Sequence, residues 1–298
     1  MRIMIAGSSG FLGSALVSSL RDEGHHVTRL VRREPRGDEA RWDPYSGKLV
    51  TELLHDVDAV VNLAGAPFVH WPWTASYKRS ILESRVRTTT TLADSIADLV
   101  DKPVLVNASG ADFYGDDRGD DRLDETAQTG QGFLAEVVRQ WEAATTSASE
   151  AGARVVNLRT SAVLDKRGGP IKVMGIPFRL GIGGRVGNGR QWFPSISLPD
   201  WLSAVNRLIS DDSMHGPYNL SGPQPVTNAE FTRILAAQLH RPAVLVAPAG
   251  PLRFVLGGLA TVVIGSRRVL PARLLEAGFT FAHPTTISQV EAAYAPPR

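Results

Sequence analysis

The chain has 298 residues, 43% of them hydrophobic and 21% charged, with a formal net charge of +2 and no cysteine. That composition is globular rather than disordered, and a chain of this size buries roughly three quarters of its unfolded surface without a metal or disulfide staple. The absence of thiols excludes disulfides, Cys-ligated zinc, iron–sulfur clusters and thiol catalysis, and it fits a reducing, cytoplasmic setting; no metal site is expected.

The small net charge does not point to nucleic acid, but the charges are uneven. Phe231 to Arg298 holds seven arginines against Glu276 and Glu291, whereas Asp116 to Glu125 holds six acids against Arg118 and Arg122. The expectation is a solvated acidic loop and a mildly basic C-terminal piece. The apolar stretch Pro242–Ser266 is broken by Arg253 and two prolines. The 13 residues after Arg253 fall short of the roughly 18 that a span needs, so no membrane association is expected. The apolar run after Met1-Arg2 has glycines and no A-x-A cleavage site, which argues against a signal peptide.

Arg2 to Ala6 reads as a buried strand. Gly7-Ser8-Ser9-Gly10-Phe11-Leu12-Gly13 follows, then a helix over Ser14–Glu23 with Leu12, Leu16, Val17 and Leu20 on one face, and a second strand over His26–Val31. A strand, a G-x-x-G-x-x-G turn and a helix form the context in which such glycines hold a pyrophosphate. Gly7 permits the turn, Gly10 lets the backbone approach a phosphate, Gly13 lets the helix pack on the strand, and the helix N-terminus supplies free N–H groups. After the second strand, where NAD sites usually place an acid, stand Arg32 and Arg33. Guanidinium groups suit a 2′-phosphate, so NADP(H) is the expected cofactor.

Further strands are expected over Val57–Leu63, Val104–Asn107 and Ala153–Leu158, alternating with helices over Ala75–Leu99 and from Gly132 onward. That alternation predicts an α/β, Rossmann-type doubly wound parallel sheet. The loop Pro67-Phe68-Val69-His70-Trp71-Pro72-Trp73 is either a pocket wall or a packed flap. Beyond residue 165, glycines and prolines break the periodicity. Pro217–Leu220 reads as one more strand and Thr227–Leu239 as a helix capped by Thr227. The expected organisation is a dinucleotide domain over 1–165, with 196–222 returning to it, and a smaller substrate lobe from 166–195 and 223–298.

These residues together resemble the short-chain dehydrogenase/reductase superfamily in its extended, epimerase-like branch. More narrowly the chain is similar to the atypical subgroup labelled nucleoside-diphosphate-sugar epimerase or cell-division-inhibitor-like. The matching motifs are the glycine turn, Asn62-Leu63-Ala64-Gly65, Tyr114-Gly115, Gly132-Phe-Leu-Ala-Glu136 with Trp141-Glu142, Gly189-Arg-Gln-Trp192, Pro225–Phe231 and Arg268–Gly278. The resemblance implies cofactor contacts at Gly7, Ser9, Gly10, Phe11, Leu12, Gly13, Arg32, Arg33, Leu63, Ala64, Gly65, Arg85, Ala108, Ser109, Arg159 and Thr160. It implies substrate contacts at Asp112, Arg190 and Trp192; Arg190 alternatively caps the lobe junction.

The family's usual chemistry uses Tyr-x-x-x-Lys. Counting back from Glu142 puts those positions at Leu134 and Val138, give or take one residue. Neither can move a proton. The replacement acids considered are Ser109 and Tyr114, then Asp112 or Glu136. Other departures are Arg85 for a common asparagine, Ser197 for a histidine before Asp200, Asp112 for a glycine and Phe113 for the first of a tyrosine pair. The expected function is an NADP(H)-dependent oxidoreductase on an unknown small carbonyl or sugar-like substrate. The alternatives are a non-catalytic dinucleotide sensor or scaffold, and a nucleotide-sugar epimerase. The expected assembly is a monomer or homodimer.

Overall fold

A computed structural model describes residues 1–47, 49, 51–68 and 70–295. Strand β1 (Arg2–Ala6) lies inside a seven-stranded sheet with β2 (His26–Val31) and β4 (Ala59–Asn62) on its two sides. β3 (Glu39–Arg41) adds outside β2, and β5 (Val104–Gly110) outside β4. Val155–Thr160 and Gly216–Leu220 complete the far edge. All these pairings are parallel. The strands are covered on both faces, which is why they read as apolar runs instead of alternating patterns.

Side-chain alternation divides the core. Ile3 and Ile5 face α1 (Phe11–Asp22) and the helix Leu198–Ser210, where Leu16, Leu20, Trp201 and Leu208 are fully buried. Met4 and Ala6 face α2 (Ala75–Ala97), packed by Leu92, Ala93 and Ile96. Among the described residues no helix is long and apolar enough to cross a membrane.

The α2 face carries a polar row that periodicity could not reveal. Asn62, Asn107 and Asn157 stand in register on adjacent strands. Asn107 Oδ1 accepts from Asn62 Nδ2 at 2.9 Å and from Thr89 Oγ1 at 3.0 Å, while its Nδ2 donates to Asn157 Oδ1 at 3.3 Å. Thr89 Oγ1 also accepts from Trp141 Nε1 at 2.9 Å, which fixes α3 (Phe133–Ala143) to α2 and the sheet. Buried amides of this kind are tolerated because they satisfy one another.

Several element boundaries move. Helix α1 begins at Phe11 with Gly10 as N-cap, β4 begins at Ala59, β5 continues to Gly110, and the strand expected at Ala153–Leu158 spans Val155–Thr160. The acidic stretch expected as a loop forms the strand Asp117–Leu123, paired in parallel with Ser266–Val269. Its burial pattern lacks the apolar alternation that marks a strand, and its partner lies far away in the chain. Helices Gly169–Arg179, Asn228–Leu239 and Thr286–Tyr294 share a separate core around Ile171, Phe178, Phe231, Leu235 and Val290. The second of these starts with a capping box between Thr227 and Glu230.

Asn107→Ala removes the acceptor of two buried donors and is expected to cost about 1–3 kcal/mol. Urea unfolding checks this: the midpoint should fall while the slope stays constant.

Candidate functional site

The order of the sheet places its topological switch between β1 and β4, where the loops after the two strands diverge and ligands of such sheets bind. There the backbones nearly touch. Gly7 has φ +77°, and a Cβ on it would lie 2.5 Å from Leu63 C; a Cβ on Gly13 would lie 2.2 Å from Gly7 O. Those two glycines are structural necessities. Gly10 differs: a Cβ there would meet only Gly7 O, at 3.4 Å, and otherwise open space. No side chain caps α1 and its first turn holds no acid. The helix therefore presents unfilled N–H groups at Phe11, Leu12 and Gly13, beside exposed Ser9 and Gly10. Phe11 turns its ring elsewhere, against Gly168 and Gly169 at the start of the Gly169–Arg179 helix.

At the end of β2 the two arginines separate. Arg33 is held bidentately by Glu39, with both N–O distances 2.7 Å. Arg21 and Arg29 engage Asp38, Arg29 also reaches Glu39, and Arg41 engages Glu34. Arg32 is exposed and has no ion-pair partner among the described residues. Arg32 is thus open to a phosphate, whereas Arg33 is already paired with Glu39.

Leu63, Ala64 and Gly65 follow β4, where Leu63 N donates to Ala6 O at 2.9 Å and Ala64 N to Asn62 Oδ1 at 3.2 Å. Beneath them lies Arg85, 5% exposed. Its Nη1 donates to Ala66 O and Ile81 O, both at 3.0 Å, and its guanidinium lies 4.0 Å from the Phe68 ring centre. Burial pushes its pKa down to about 10. Arg85 clamps the Gly65–Ala66 loop from below. Within the aromatic loop, Val69 lies outside the described residues; Phe68 and Trp73 pack against α2 and α3, while Trp71 is exposed.

The end of β5 was expected to hold the replacement acids. Ser109 is 6% exposed, and its hydroxyl donates to Glu142 Oε1 at 2.6 Å. Arg159 grips the same carboxylate from two nitrogens at 2.9 Å each, and its Nη1 donates to Tyr114 Oη at 3.2 Å. Tyr114 is fully buried, and its hydroxyl donates to Asn219 Oδ1 at 2.8 Å. Burial pushes its pKa up to about 12, with Arg159 and Asn219 opposing. Tyr114 is thus packed inside, Arg159 is paired internally with Glu142, and the Ser109 hydroxyl also donates to that carboxylate. The spacing around Trp141-Glu142 marked a motif, yet gave no sign that Glu142 ties together Ser109 and Arg159.

Ala108 and Thr160 are half-buried at strand ends, and Thr160 Oγ1 accepts from Trp201 Nε1 at 3.3 Å. Leu134 and Val138 are buried apolar positions on α3, and the Cβ site of Gly110 is 3.7 Å from Val138 and 3.4 Å from Asp112 Oδ2. Asp112 pairs through Oδ1 with Arg267 Nη1 at 2.8 Å, its side chain 18% exposed. Asp116, beside this pair, has its pKa raised by burial, opposed by Arg267 and reinforced by Asp112. Glu136 stands outside, held by Arg139 and Gln140, which lower its pKa to about 2; it stays ionised and is no acid at neutral pH. Arg190 is exposed. Trp192 Nε1 donates to Asp120 at 2.8 Å under the Arg268 guanidinium. Ser197 meets Asp200 Oδ2 at 2.8 Å and His283 Nδ1 at 3.1 Å, so an imidazole reaches the buried aspartate from a distant segment.

A doubly wound parallel sheet with a glycine-lined, uncapped helix N-terminus at its switch point defines a Rossmann-type protein. Residues 3–176 match the NAD dependent epimerase/dehydratase family, and residues 247–292 match a domain of unknown function, DUF1731. An epimerase family protein of Mycobacterium leprae is 43% identical over 286 residues, which cover 95% of this chain and 92% of the relative. The crystal structure of the human epimerase family protein SDR39U1 (isoform 2) with NADPH superposes with a TM-score of 0.89 at 32% identity, covering 98% of this chain and 99% of that one. A Thermus thermophilus UDP-glucose 4-epimerase in complex with NAD shares the fold, with a TM-score of 0.75 at 17% identity and coverage of 98% and 99%. The chain belongs to the NAD dependent epimerase/dehydratase family, as an atypical short-chain dehydrogenase/reductase that carries the DUF1731 module.

Alkaline stability checks the placement of Tyr114. Below pH 10, its ordinary pKa, the phenol is neutral in both states; between 10 and about 12 only the unfolded chain ionises. Stability should therefore fall as pH rises through this window, by about 2–3 kcal/mol in all. Tyr114→Phe should show a shallower alkaline loss in denaturant titrations.

Proposed function

We propose that the chain binds NADP(H) and acts as a slow oxidoreductase on a small carbonyl or sugar-like substrate. The observation that carries this reading is the pairing of an uncapped α1 N-terminus, open at Gly10, with the unpartnered Arg32 at the end of β2. The cofactor fits the residues present. The N–H groups of Phe11, Leu12 and Gly13 would hold the pyrophosphate, Arg32 the 2′-phosphate, and Leu63 to Gly65 would border the adenosine. Bound there, it would supply or accept a hydride.

This chain's own residues limit the proton side. Leu134 and Val138 carry no titratable group, Tyr114 is sealed, and Ser109 donates inward to Glu142. Of the acids considered, Asp112 retains a partly exposed carboxylate next to Gly110 and Val138. Paired with Arg267, that carboxylate can accept a hydrogen bond from a substrate hydroxyl. General acid–base catalysis is worth about 10²–10⁴-fold, so turnover should be slow. The apolar lining at Leu134 and Val138 also favours a second reading, a dinucleotide sensor without turnover.

NADPH should bind roughly ten- to a hundredfold more tightly than NADH. Arg32→Ala should remove most of that preference and leave NADH unchanged, while Arg33→Ala should have the smaller effect because Glu39 already holds that charge. Gly10→Val should fold yet lose both cofactors. Fluorescence titration of the reduced nucleotides measures all three; equal affinity of the wild type for NADPH and NADH would overturn the assignment.

A further inference from the structure

Two segments of the smaller lobe, residues 166–199 and 231–275, contain twelve Lys and Arg and no Asp or Glu. The chain's 30 acids would place about eight in 79 residues if spread evenly. The same segments hold most of the exposed large apolar side chains: Val173, Ile176, Leu180, Ile182, Val244 to Val246, Phe254, Val255, Val262 and Val263. Strand pairing joins part of each segment. Gly184–Val186 pairs with Leu245–Ala247, Gly187 lies against Ala249, and the helix Ala249–Leu256 buries none of its residues. Phe254 is 91% exposed and Val244 79%.

We infer that this face docks peripherally on an anionic lipid surface, with Phe254 and its aliphatic neighbours entering the interface and Lys172, Arg179, Arg185 and Arg253 meeting the headgroups. Each of those four cations is exposed and lacks an ion-pair partner among the described residues. An apolar cluster rimmed with cations is the arrangement that binds anionic bilayers from one side. The apolar side chains project outward, and a bilayer receives them without complementary sockets. A second copy of the chain is disfavoured, because the same face would oppose its cations to their equivalents. The inference concerns attachment and not a membrane span.

Co-sedimentation with vesicles tests it. The full chain at low salt is mixed with vesicles of phosphatidylcholine alone, and with vesicles of equal parts phosphatidylcholine and phosphatidylglycerol. The expected result is sedimentation with the anionic vesicles only. Phe254→Ser should weaken binding about tenfold or more, and each of Lys172→Gln and Arg253→Gln about fivefold. NADPH affinity, measured in parallel, should stay unchanged in all three, which certifies that they fold. Failure to bind anionic vesicles would overturn the inference. So would a Phe254→Ser variant that binds as well as the parent, which would mean charge attraction alone. Sedimentation velocity without lipid gives the remaining outcome: a dimer dissolved by Phe254→Ser would assign the face to a second copy instead.

Discussion

The buried pair of Glu142 and Arg159 is the interaction on which the interior of the site depends. It joins α3 to the sheet, and both charges sit where their separate desolvation costs several kcal/mol. Neighbouring hydrogen bonds extend from the pair. Ser109 donates to the carboxylate, and Arg159 reaches Tyr114, whose hydroxyl continues to Asn219. The backbone N–H of Asn219 donates to Glu125, which also accepts from Arg273 N in the C-terminal module. One polar string thus runs from the end of β5 to that module. The aromatic ring of Phe113 covers it, its centre 3.4 Å from the Arg159 guanidinium carbon.

The parts of this protein legible in its sequence are those where a local residue type determines a local backbone. The turn from Gly7 to Gly13 is of that kind, because sterics at two of its glycines leave no other residue, and so are the apolar strands of the sheet. The site interior was much less legible. Arg32 and Arg33 are adjacent and chemically identical, yet only contact with Glu39 on a neighbouring strand distinguishes them. Ser109 and Tyr114 have hydroxyls near the end of the expected strand, but which way a hydroxyl donates depends on partners from α3 and from Gly216–Leu220. The strand Asp117–Leu123 escaped detection because charge, not apolar alternation, fills it.

The C-terminal module is more than a cover. Ser266–Val269 supplies a strand partner to the acidic segment, Arg267 reaches Asp112 and the carbonyl of Gly115, and Arg268 lies over Trp192. An arginine from one end of the chain therefore sets the charge around a carboxylate from its middle. The departures at Ser197 and Asp112 are local in sequence, but their consequences are shared by segments as distant as His283 and Arg267.

The contact between Phe11 and Gly168–Gly169 has a mechanical consequence. Phe11 belongs to the turn that would receive the pyrophosphate, and Gly168–Gly169 opens the helix Gly169–Arg179. The ring occupies the space a side chain would need at position 168, so any Cβ there would push the ring, and with it the first residue of α1. The placing of the nucleotide turn is thereby set in part by a glycine from a distant segment of the chain.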